Sequence, residues 1–276
     1  MSTGEPTAPG PGTGGTVAVV TGGARGFGLE IARRLVARGH RVLVTDLEAG
    51  AVARAAEAIG AAGTVADARS PADHRRVAAE AGELGRVAVW VNNAGVARAG
   101  KSWEHSDDDV DAVVRTNLLG VVHGSRTAVE AMRAGGGHLL NIASMSGHGP
   151  VPGLAVYAAT KAGVVNFTTS LQGELDLARI PVRAHALCPH AASTDLVRAA
   201  QADPDSAILF HQRRLLTPAE VADAAVALLD GRRVVRSLPL RWAAASRAGA
   251  LVPTLGLKGL AALRALGQRR RRSVRV

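Results

Sequence analysis

Thr16-Val-Ala-Val-Val20 is a short β-branched run that ends in glycines, and the chain passes from them straight into a helical pattern over Gly26–Arg38. Ile31, Leu35 and Val36 share one face of that helix, Gly39 ends it, and Val42–Val44 begins a second strand that closes at Asp46. A strand, a glycine turn, a helix and a second strand in so short a span leave one economical solution. The two strands lie parallel, and the helix crosses over them with right-handed topology.

The alternation continues down the chain. The pattern predicts a helix over Ala49–Ile59, a short strand at Thr64–Ala66, a helix after Pro71 and a strand over Val87–Val91. A long helix over Asp107–Met132 precedes a strand over His138–Ala143, a helix over Leu154–Leu177 and a strand over Val182–Leu187. Thr217-Pro-Ala-Glu220 opens a helix to Leu229 with an N-cap, a proline at the first helical position and an acid at the third. Val234–Leu238 is a candidate seventh strand. The expected fold is α/β, a doubly wound parallel sheet in a single domain, which 276 residues accommodate. Such sheets bind ligands beyond the carboxyl ends of their strands.

Residues 1–15, rich in Gly, Pro and Thr, read as a flexible leader without the basic start and apolar run of a signal peptide. No stretch approaches the roughly 20 apolar residues of a membrane span. The lone cysteine, Cys188, excludes an internal disulfide and suits a reducing, cytoplasmic location. The net charge of +10 is localised. Of 33 Lys and Arg, 12 follow Asp230, where there is no acid, and the first 230 residues hold 21 against 23 acids. A near-neutral body with 3 % aromatics is not a nucleic-acid reader.

The first strand enters Thr21-Gly22-Gly23-Ala24-Arg25-Gly26-Phe27-Gly28. Glycines there let a pyrophosphate approach the backbone, and the helix start offers free N–H groups to it. Asp46 lies 18 residues past Gly28, where a carboxylate accepts from ribose hydroxyls and repels a 2′-phosphate. That favours NAD; Arg25 is the contrary signal, leaving NADP open.

With these residues in view, the chain resembles the short-chain dehydrogenase/reductase family, which has a Rossmann-type fold. Thr21-Gly-x-x-x-Gly26-x-Gly28 looks like the family's cofactor motif, and Asn92-Asn93-Ala94-Gly95 looks like its second motif. Ser144 stands 27 residues after Asn117, and Tyr157-x-x-x-Lys161 follows Ser144 by 13, as in the family. The resemblance covers roughly Thr16 to Asp230 and implies Asn117, Ser144, Tyr157 and Lys161 as the catalytic set. It implies cofactor contacts from Gly22, Arg25, Gly26, Phe27, Gly28, Asp46, Asp67, Ala68, Asn93, Ala94, Gly95, Tyr157, Lys161, Pro189 and Thr194, a homo-oligomer, and no metal. His190 replaces the family's usual glycine after Pro189. His148 lies in the expected substrate loop.

Spacing alone carries part of this reading. Tyr157 and Lys161 are i and i+4 on one helix face, and a nearby ammonium lowers a phenol pKa. Tyr157 then exchanges a proton with a substrate oxygen while a nicotinamide exchanges a hydride with its carbon. The expected reaction joins a hydrophobic secondary alcohol and its ketone. The rivals are a cofactor-retaining epimerase or dehydratase and a non-catalytic nucleotide sensor. Beyond residue 239, Leu255, Leu260, Leu263 and Leu266 mix with basic residues before Arg269–Arg272. This extension, 240–276, reads either as an amphipathic helix suited to an anionic lipid surface or a partner, or as a helix that folds back over its own substrate pocket or a sister subunit.

Overall fold

A computed structural model describes residues 15–271. Strands β1 (Val17–Thr21), β2 (Arg41–Asp46) and β3 (Ala62–Val65) alternate with helices α1 (Gly26–Ala37), α2 (Ala49–Ile59) and α3 (Pro71–Leu84). Then follow β4 (Val87–Asn92), α4 (Asp107–Val114), α5 (Gly120–Met132), β5 (Gly137–Ile142), α6 (Ala155–Leu177) and β6 (Val182–Pro189). The chain closes with α7 (Asp195–Ala200), α8 (Pro218–Leu229), β7 (Val235–Leu238), α9 (Leu240–Leu251) and α10 (Pro253–Arg270). The sheet order is β3-β2-β1-β4-β5-β6-β7, every pair parallel. The order reverses between β1 and β4, and that switch point is where a crevice opens.

Alternate residues of the central strands feed two apolar layers, as a two-residue period requires. Ala18, Val20, Val42 and Val44 pack with Ile31 and Leu35 of α1 and Val221 and Ala225 of α8. Val17, Val19, Leu43 and Trp90 pack on the other face with Val77, Ala81, Ala128 and Met132. Each fully buried aliphatic side chain contributes about 1.5–3 kcal/mol. Thr217 and Glu220 form the reciprocal capping pair that the sequence predicts at the start of α8.

Three departures have physical causes. The expected strand at Thr64–Ala66 begins earlier, at Ala62, because Gly63 lets β3 close against Val52 of α2, where a Cβ would lie 2.7 Å from Val52 Cγ1. The expected helix over Asp107–Met132 is broken at Arg115–Leu119 by a π-helical turn. The extension is two helices, not one: Pro253 starts α10, and Gly256 lies so close to the Gly249 carbonyl that a Cβ has no room. α10 then lies along a 3₁₀ turn at Pro204–Phe210, with Gly267 tight against the Ala207 carbonyl and Arg264 paired with Asp205. Of the expected leader only Gly15 falls within the described residues, and of the final arginine run Arg272 falls outside them.

Candidate active site

The glycine loop lies at the end of β1, at the switch point. Gly22 has φ +60° and Gly26 φ +55°, a region that L side chains seldom adopt. A Cβ on Gly28 would overlap the Gly22 carbonyl, and one on Gly26 would meet nothing closer than Thr194 Cγ2 at 3.9 Å. The loop is therefore tight where it packs and open toward the cleft. Asn93 holds it there, its Nδ2 donating to the Gly22 carbonyl at 2.8 Å and the Thr21 carbonyl at 3.1 Å. Asn93 thus braces the phosphate loop as well as lining the cleft.

Asp46 ends β2 at the rim. Its carboxylate accepts from Leu47 N at 2.8 Å and Ala24 N at 3.3 Å, which ties it to the glycine loop. Arg25 is exposed on the same cleft, and its guanidinium has no hydrogen-bond or ionic partner among the described residues. Asp67 accepts from Arg69 Nη2 at 2.7 Å, and that guanidinium holds its carboxyl below the usual carboxylate range. The Ala68 carbonyl faces His74 Nε2 at 2.9 Å, which fixes the turn after β3. Asp46, Asp67, Ala68 and Arg69 line one end of the cleft.

The Tyr-x-x-x-Lys face of α6 forms the cleft's other half. Lys161 is 3 % exposed; its Nζ donates to the Ile142 carbonyl at 2.9 Å and lies 5.6 Å from the Tyr157 ring centroid. Burial pushes Lys161 down to about 8. Burial also pushes the Tyr157 phenol up, with the Ser144 hydroxyl pulling the other way. This corrects the expectation that Lys161 lowers the phenol. The ammonium is directed at a backbone carbonyl, and desolvation is the largest influence on the phenol. Ser144 accepts from Ser146 N at 3.1 Å at the end of β5. Asn117, wholly buried in the π turn, donates to the Val96 carbonyl at 2.7 Å and accepts from Val96 N at 2.8 Å. A Cβ on Gly95 would stand 3.2 Å from Asn117 Oδ1 and 3.7 Å from Lys161 Nζ. The glycine leaves room for the close approach of Asn117.

Gly22, Gly26, Phe27, Ala94, Gly95, Ser144, Tyr157, Lys161, Pro189 and Thr194 all line the same cleft. Thr194 also caps α7. His148 does not line it: buried, it hydrogen-bonds Ser237 Oγ at 2.8 Å. Sequence reasoning missed Arg69 and also missed His211 and Trp242, which join His190 at the substrate end. Their elements have no periodic signal long enough to place them.

A glycine loop at a sheet switch point and a Tyr-Lys helix opening on one cleft define a dinucleotide-dependent oxidoreductase. A family pattern described as short chain dehydrogenase matches residues 16–205, and the chain belongs to the short-chain dehydrogenase/reductase family. It is an NAD(P)-dependent oxidoreductase. It is 38 % identical over 181 residues to a 2-dehydro-3-deoxy-L-rhamnonate dehydrogenase (NAD(+)) from Sphingomonas sp. strain SKA58, spanning 63 % of this chain and 71 % of that one. A Burkholderia phymatum short chain dehydrogenase/reductase in complex with NAD superimposes with TM-score 0.76 at 28 % identity, covering 84 % and 92 % of the two chains. Actinorhodin polyketide ketoreductase with NADPH gives TM-score 0.73 at 32 % identity over 81 % and 95 %. Among the described residues no helix is long and apolar enough to cross a membrane.

Proposed function

We propose that the protein interconverts a hydrophobic ketone and its secondary alcohol, with NAD(H) as the preferred cofactor and Tyr157 as the proton donor or acceptor. The observation that carries this reading is that Tyr157 and Ser144 share a cleft with the glycine loop, beneath an apolar wall of Leu196, Ile208, Leu209, Leu260 and Leu263. The glycine cradle, open at Gly26 and closed at Gly28, suits a dinucleotide pyrophosphate. When bound, the nicotinamide supplies or takes the hydride. Lys161 and Asn93 hold the cofactor side, Ser144 donates to the substrate oxygen, and Asn117 anchors a water in a proton relay from Lys161. A panel of apolar ketones with NADH tests this directly: absorbance loss is expected, and none with any ketone overturns it.

NAD is expected over NADP because a 2′-phosphate meets the Asp46 carboxylate at the rim. The expected ratio of kcat/KM is on the order of 5–150-fold. Equal values, or a preference for NADP, show that Arg25 prevails.

The body from residue 16 to 239 is the catalytic unit in this reading, and α9 and α10 are a roof over its substrate end rather than a membrane contact. Leu260 and Leu263 turn toward the cleft, Arg264 is paired with Asp205, and Arg271 Nη1 donates to the Ala202 carbonyl at 3.2 Å. Truncation after Val252 is expected to leave NADH affinity within a few-fold and to shift kcat/KM among small and bulky ketones. Salt-sensitive sedimentation with anionic liposomes that the truncation abolishes is the result that restores the membrane reading. Cytoplasmic residence and a homo-oligomer belong to the same proposal; Trp103 and Leu119, exposed on either side of α4, offer apolar surface for a second copy.

A further inference from the structure

Three rings meet where the resemblance leads one to expect a glycine. His190 follows β6, His211 follows the 3₁₀ turn, and Trp242 stands on α9. The His190 and His211 centroids are 5.0 Å apart, and those of His211 and Trp242 are 4.8 Å apart, both edge to face. His190 and Trp242 are 6.2 Å apart. All three line the cleft that holds Tyr157 and Ser144.

Their polar atoms are assigned by their neighbours. His211 Nδ1 lies 2.7 Å from the Ile208 carbonyl, which only accepts, so Nδ1 carries the proton and Nε2 is a bare acceptor. His190 Nδ1 accepts from Ala191 N at 2.7 Å, so its proton sits on Nε2. Trp242 Nε1 is a donor only. His211 Nε2 and Trp242 Nε1 are both buried, with no hydrogen-bond partner among the described residues, and the His211 residue is 6 % exposed. Buried polar atoms in native proteins are ordinarily paired. An unpaired acceptor and an unpaired donor, on two cleft-lining rings whose centroids are 4.8 Å apart, together match a hydroxyl, which donates and accepts at once.

We propose that His211 and Trp242 are specificity-determining residues that bind a second, neutral hydroxyl of the substrate, remote from the carbon that reacts at Tyr157. The substrate class is then a hydroxylated ketone, or the matching diol, on an apolar frame. This rests on the reductase reading above. Burial pushes His190 down to about 3 and lowers His211 as well, with the Arg270 guanidinium on the His211 carbonyl acting in the same direction, so both imidazoles are neutral and can serve a neutral oxygen. The surrounding wall of Leu196, Ile208, Leu209, Leu260 and Leu263 supplies the apolar frame's counterpart. A site built to hydrogen-bond a hydroxyl discriminates against the analogue that lacks it, because its own buried groups are then unpaired.

The test compares tetralone with its ring-hydroxylated isomers in the full-length protein with NADH. One isomer is expected to exceed tetralone by about tenfold or more in kcat/KM. In Trp242→Phe, which keeps the ring and removes the donor, that ratio is expected to fall close to one. The ratio is read within each variant, so a general loss of activity cancels. Equal values across the series in the wild type, or a preference that survives Trp242→Phe, overturns the proposal. Dissociation constants for the same compounds on the Tyr157→Phe protein with NADH separate the two readings. A binding preference without wild-type turnover upholds the hydroxyl site and overturns the reductase. Turnover without a preference does the reverse, and neither turnover nor preference overturns both.

Discussion

Replacing Tyr157 with Phe is expected to lower kcat for ketone reduction by about 10²–10⁴-fold, the usual contribution of a positioned proton donor. NADH affinity is expected to stay within a few-fold, because the ring remains to fill the same space. Tyr157 heads the face of α6 that bears Lys161, and the Ser144 hydroxyl beside it is the other group presented to a substrate oxygen. Phe removes the transferable proton and leaves Ser144 and Lys161 in place. Turnover with saturating NADH, paired with a fluorescence titration of NADH, checks both halves. A variant that keeps more than about a tenth of kcat removes Tyr157 from the role.

The direction of the Tyr157 shift adds a pH signature. Burial raises its pKa above the ordinary phenol value, so near neutrality the group is protonated. A protonated phenol is ready to donate, which is what ketone reduction requires. Alcohol oxidation requires the phenolate. Reduction is therefore expected to be flat through neutral pH, and oxidation to climb as pH rises. The two profiles, measured as kcat/KM, are expected to diverge on the alkaline side.

Much of this was legible before the fold was known, for reasons that differ from place to place. α2 was predicted residue for residue because its apolar face repeats cleanly and Gly60 stops it in a left-handed turn. The glycine loop was legible because its spacing has a physical meaning at a strand end. β3 was displaced because the contact that admits Gly63 to the strand comes from Val52, a tertiary neighbour no local pattern reveals. The π turn at Asn117 was invisible for a similar reason. Its geometry follows from Asn117 bridging to the Val96 backbone, 21 residues away. The sign of the Tyr157 shift was misjudged because i, i+4 spacing gives proximity but not what the ammonium is aimed at, here the Ile142 carbonyl. His211 and Trp242 belong to the site only because α9 and the 3₁₀ turn fold back over it.

Lys161→Met is expected to abolish turnover and at the same time to stabilise the cofactor-free protein at neutral pH. Lys161 is almost wholly buried, and among the described residues its Nζ has one hydrogen-bond acceptor, the Ile142 carbonyl. Its pKa is about 8 in the fold against 10.5 for an ordinary lysine, a difference worth roughly 3 kcal/mol against the charged native state. Met has a similar length and no charge to desolvate, although it leaves the Ile142 carbonyl without that donor. A net gain of about 1–3 kcal/mol at pH 7 follows. The pH dependence fixes the cause. Below about pH 8 both folded and unfolded wild type hold the proton, so the handicap is constant. Between 8 and 10.5 the unfolded chain still holds it and the folded chain has released it, so the Lys161 contribution to wild-type stability rises with pH through that window. The advantage of the Met variant is therefore expected to shrink across the same window and to be gone above it. Cys188, pushed up to about 12 by burial and partly held down by Lys161, titrates in both chains but not identically, so the comparison is made in a Cys188→Ala background. Denaturant unfolding of the two proteins from pH 7 to pH 11 measures the difference. A Met variant that is less stable at pH 7, or an advantage that does not change with pH, shows that the buried ammonium is not strained. The lysine would then be held by contacts that favour its charge, and its place beside Tyr157 would carry no stability penalty for function to offset.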